Sequence, residues 1–142
     1  MYDTLLFLHL LAAFMSVAAV VMFGALLLTT NGARGETMPL LRLSRFAELL
    51  WNVGGLSVLV LGVWLAIYLD GYDVLDGWVV AAIVLWLIAS GAGARVAASY
   101  REALDAGNEG AVHAQRAVVL HAVMAAAVLA LLVDMIFKPG AS

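Results

Sequence analysis

The chain contains no cysteine. That removes disulfides, thiolate metal sites, iron–sulfur clusters and cysteine nucleophiles together, and leaves the redox compartment unmarked. Charge is scarce, at 12% of residues, and ten acidic side chains outnumber seven basic ones. With a net charge of −3 and no basic tract, no nucleic-acid partner is expected. The sequence has no HExxH, no GxSxG, no Walker loop and no dinucleotide-binding fingerprint after a strand, so no catalytic residue is assigned. Lipidation signals are also missing.

What fills the 142 residues instead is apolar: 65% hydrophobic, with a mean hydropathy of +1.06. Soluble domains carry about half apolar and a quarter charged residues, so this is the composition of an integral membrane protein. Four spans are predicted, at about 5–28, 46–70, 78–98 and 115–137. They leave little chain for a soluble domain. The expected fold is all-α: a single transmembrane domain, arranged as an up-down bundle of four helices because the connections are short. The start, MYDTLLFLHLL, has Asp3 where a signal peptide has bases, and is read as a retained first span.

Thr30-Asn31-Gly32-Ala33-Arg34-Gly35 should end the first span, and Pro39 should open a short interfacial segment, LLRLSRF, ahead of the second. Tyr68 and Trp78 are placed like an aromatic belt. The third helix should run a turn or two past the membrane, and Lys138-Pro139-Gly140 should stop the fourth. Arg34, Arg42 and Arg45 flank the first connection and Arg95, Arg101 and Arg116 the third, while the second has three aspartates and no base. The positive-inside rule makes the first and third connections cytoplasmic and leaves the N- and C-termini outside.

Two faces look built for helix packing. In the first span, His9, Ala12, Ala13, Ser16, Val20 and Phe23 align. In the second, Glu48, Asn52, Gly55, Leu59, Gly62 and Ala66 form one small or polar stripe that should look at protein rather than lipid. Glu48, Asn52, Arg95, Arg116, His113 and His121 lie toward the cytoplasmic side, and read most simply as a structural polar cluster in which Glu48 is ion-paired by an arginine. The functional alternative is a proton or ligand site at Glu48 and His121, with Met22 at comparable depth. On the outer side, His9, Asp134 and Met135 lie near one level below Asp70, Asp73 and Asp76, a donor set suited to copper. An i,i+4 salt bridge from Asp134 to Lys138 is the simpler expectation for that carboxylate. His9 and His121 sit near opposite faces, roughly 15 Å apart in depth, too far for both to ligate one iron.

The LHLLAAF start, the GVWLAIYLDG…GW passage and the MIFKPG ending resemble a bacterial superfamily of small membrane proteins of unknown function. That superfamily also takes in copper resistance protein D and the HemJ-type protoporphyrinogen oxidases. The resemblance implies a cytoplasmic-membrane location, and a first-span histidine, here His9, as a ligand of haem b or copper, with Met135 as a second copper donor. The lysine that the oxidases carry in their third span is absent, since Arg95 is the one base there. The resemblance therefore implies fold more than activity. The main expectation is a structural or interaction component of the membrane, associating with itself or a partner protein. A haem- or copper-binding redox or transport protein using His9 or His121 is the alternative, and a conduit lined by Glu48 and Asn52 is a third reading.

Overall fold

The computed structural model describes residues 2–32, 38–68, 75–105 and 114–138. They form four helices: α1 (Tyr2–Gly32), α2 (Met38–Tyr68), α3 (Gly77–Asp105) and α4 (Ala114–Phe137), and among the described residues there is no strand. Each contains a stretch long and apolar enough to cross a bilayer: Tyr2–Thr29, Arg42–Ile67, Gly77–Ala103 and Gln115–Phe137. The helices pack as two close hairpins, α1 with α2 and α3 with α4. Looser α2–α3 and α1–α4 contacts close the ring. This is the expected up-down bundle.

Helix ends differ from the sequence reading in two places. α1 runs on through Thr30-Asn31-Gly32, and α2 starts at Met38, so the 39–45 segment is the first part of α2 and not a separate interfacial piece. Pro39 is compatible with that because a helix's first-turn N–H groups have no intrahelical acceptor to lose. α3 continues to Asp105, the extension anticipated beyond residue 98. α4 closes as expected: Lys138 takes a left-handed φ of 41° and its N–H donates to the Asp134 carbonyl at 2.8 Å.

Small residues set how closely the helices approach. A Cβ on Gly54 would lie 2.8 Å from Met15 Cβ, 2.9 Å from Ser16 N and 3.0 Å from the Ala12 carbonyl oxygen, so α2 rests there directly on the α1 backbone. The predicted α1 face is the one used: Ala12, Ser16, Val20 and Phe23 are buried, joined by Ala19, Leu26 and Leu27. Phe23 stacks on Tyr100 of α3 with ring centroids 6.1 Å apart, and Val96 and Met124 complete this centre. Toward the other end, Trp78 packs with Ala66, Val79, Ile83 and Met135. Trp78 is thus a packing residue more than a belt residue, while the Tyr68 side chain lies outside the described residues. Two hydroxyls of α1 are satisfied within their own helix: Ser16 Oγ donates to the Ala12 carbonyl at 3.0 Å and Thr29 Oγ1 to that of Ala25 at 2.9 Å.

Candidate functional site

The two spanning histidines both dock into glycine notches, on different helices. His9 of α1 lies against Gly62 of α2, its Cε1 3.1 Å from where a Cβ would stand. His121 of α4 lies against Gly24 of α1, with Nε2 at 2.8 Å from that position. Positions 9 and 24 are fifteen residues apart on α1, a rise of about 22 Å. The histidines therefore occupy separate levels. In each, Nδ1 is enclosed without a hydrogen-bond partner, and the backbone of Val58 faces the His9 ring.

Gly62, which receives His9, also borders an apolar slot between α2 and the second hairpin. Met135 lines this narrow slot together with Gly62, Ala66 and Trp78, with room for about 30 Å³. Asp134 is buried, with Oδ2 unpartnered. Lys138 does not supply the anticipated partner there; its ammonium stands 5.5 Å from the centre of the Trp78 ring. Among the described residues no three His, Cys, Asp or Glu side chains gather as a metal-binding group. Asp70, Asp73 and His113 lie outside the described residues, Asp76 is half-buried, and Met22 packs against the central cluster.

At the other end, Glu48 accepts a 2.6 Å charge-assisted hydrogen bond from Arg101 Nη2. Arg95 and Arg116, the arginines that sequence position favoured, are exposed. Arg101 lies six residues beyond Arg95 in the same helix, in the part of α3 that extends past the predicted span, which is why depth alone missed it. The pair guards a cleft of about 430 Å³ between α2 and α3, walled by Trp51, Trp86, Asn52, Ser90 and Gly93. Trp86 Nε1 donates to the Gly55 carbonyl at 2.8 Å and ties α3 to α2 at the cleft's inner edge. Half of the Arg101 side chain's surface is exposed, so the ion pair itself contributes little. A double-mutant cycle with Glu48→Gln and Arg101→Gln should give a coupling of about 0.5–1 kcal/mol in detergent unfolding, shrinking at high salt. A coupling several times larger would mean the pair is far more enclosed in the bilayer than its exposure indicates.

These observations define a multi-pass membrane protein of the four-helix class. No protein-family profile, curated protein or solved structure matches the chain.

Proposed function

We propose that the protein is a non-enzymatic component of the bacterial cytoplasmic (inner) membrane that acts by association, with itself or with a membrane partner, and has both termini outside. The observation that carries this reading is the use made of its chemistry-capable side chains. His9 and His121 fill glycine notches between helices, and Glu48 is engaged by Arg101. Each has a packing or pairing role that needs no ligand. The membrane assignment and orientation draw on the arginines of the first and third connections. The resemblance to the superfamily of copper resistance protein D and the HemJ-type oxidases points to the same location.

A second reading keeps His9 as a ligand of haem b or copper, favoured by its enclosed, unpartnered Nδ1. The two part on a direct measurement. Purified protein should show no Soret band and no stoichiometric copper, and His9→Ala should change neither. A Soret band or bound copper that disappears in His9→Ala would replace the first reading by the second. Reporter fusions after Gly71 and Gly107 should report external and cytoplasmic sites respectively; the reverse pattern overturns the orientation.

A further inference from the structure

The α2–α3 cleft combines two features that a packing defect does not. Its volume of about 430 Å³ lies within the size of small-molecule sites, which run from about 300 to 1,000 Å³. It also carries polar groups where a bilayer holds none. Ser90 lies thirteen residues from either end of the Gly77–Ala103 stretch, in the middle of the length of α3 that is apolar enough to cross a bilayer. Its Oγ is enclosed and has no hydrogen-bond partner. Asn52 is ten residues into the Arg42–Ile67 stretch, closer to its middle than the predicted 46–70 span implied, and is exposed on the facing wall. Polar side chains at that depth are costly unless something answers them.

We infer that this cleft is a binding site for a neutral, membrane-dissolved ligand of the quinone class, its ring carbonyls accepting from Asn52 Nδ2, exposed on the cleft, and from Ser90 Oγ once a side-chain rotation turns that enclosed hydroxyl into it. A phospholipid headgroup stays at the surface, about 15 Å from the midplane, and does not reach these donors. A lipid tail reaches them but offers no acceptor. A charged head is disfavoured as well, because the two ionised groups lining the cleft, Glu48 and Arg101, neutralise one another. A quinone brings what is missing: carbonyl acceptors on a flat, uncharged ring, and an apolar tail that can leave between α2 and α3. The indoles of Trp51 and Trp86 give that ring aromatic walls.

The test uses the full chain in phosphatidylcholine nanodiscs, titrated with a decyl-substituted benzoquinone and followed by quenching of tryptophan fluorescence. Saturable quenching is expected. The double variant Asn52→Leu/Ser90→Ala should weaken apparent affinity about tenfold or more, the equivalent of losing one to two hydrogen bonds. Ser90→Thr, which keeps the hydroxyl, should stay within about twofold of the parent and shows that the fold tolerates change at this position. Quenching that never saturates, or that is the same in the double variant, overturns the proposal. So does native mass spectrometry showing retained phosphatidylglycerol that is lost in Arg101→Gln but kept in Asn52→Leu/Ser90→Ala, which would make the cleft a phospholipid site.

Discussion

Gly54→Ala is expected to destabilise the protein by about 2–3 kcal/mol, or to prevent its accumulation in the membrane. The new methyl would meet Met15 Cβ at 2.8 Å, Ser16 N at 2.9 Å and the Ala12 carbonyl oxygen at 3.0 Å. Two of those three atoms are backbone, and neither can move without moving α1. Relief requires the α1–α2 pair to separate along a seam that Ala12, Ser16, Ala19 and Ala47 keep narrow. Helix association in lipid depends on such close packing, because hydrocarbon tails are as apolar as the side chains they would replace. Two other glycines serve as controls. At Gly93 the methyl would meet Met124 Cε at 2.9 Å, the far end of a flexible side chain, so Gly93→Ala should cost clearly less. At Gly91 there is nothing within 4 Å, so Gly91→Ala should be neutral or stabilising by up to about 1 kcal/mol through helix propensity. Unfolding in a detergent series ranks the three. If Gly54→Ala unfolds at the same midpoint as Gly91→Ala, the α1–α2 contact is not as close as described.

Hydropathy made the four spans legible because each is a long apolar run with few charges, and the small and polar positions of α1 identified its buried face. The same logic was less complete on α2. The stripe from Glu48 to Ala66 does hold protein contacts at Gly55, Gly62 and Ala66, yet Asn52 is exposed on the cleft. The buried arc is centred beside the stripe, on Ala47, Trp51 and Gly54. Trp51 explains the miss. A large apolar residue is as comfortable in lipid as in a membrane-protein core, so composition cannot say which way it faces; its burial and its contact with Gly93 of α3 place it inside. Partner choice was illegible for a related reason. Depth placed Glu48 near Arg95 and Arg116, but Arg101 has the reach and the helical phase, and phase across two separate helices depends on how α2 and α3 rotate as they pack. The histidine notches were hidden likewise: Gly24 and Gly62 are visible in the sequence, but nothing there says which imidazole each receives.

The Gly24–His121 notch gives the second large effect, and decides whether His121 is a packing residue. Gly24→Ala would place a methyl 2.8 Å from Nε2 and 3.3 Å from Cε1 of a ring whose Nδ1 is already enclosed, and should cost about 1–3 kcal/mol. His121→Ala alone should also destabilise, since it empties the same notch and leaves lining atoms without contacts. The two losses should not add. In Gly24→Ala/His121→Ala the new methyl points into the space the ring has vacated, so the double variant should be less destabilised than the sum of the singles, by about 1–3 kcal/mol. At Gly62 the corresponding approach to His9 is 3.1 Å, tight but easier to relieve, and the cycle there should show the same sign with a smaller coupling. A histidine kept for ligation shows itself by another readout: His121→Ala would abolish whatever absorbance or metal content the protein carries. Strict additivity of the Gly24 and His121 losses would therefore remove the packing role on which the non-enzymatic reading depends.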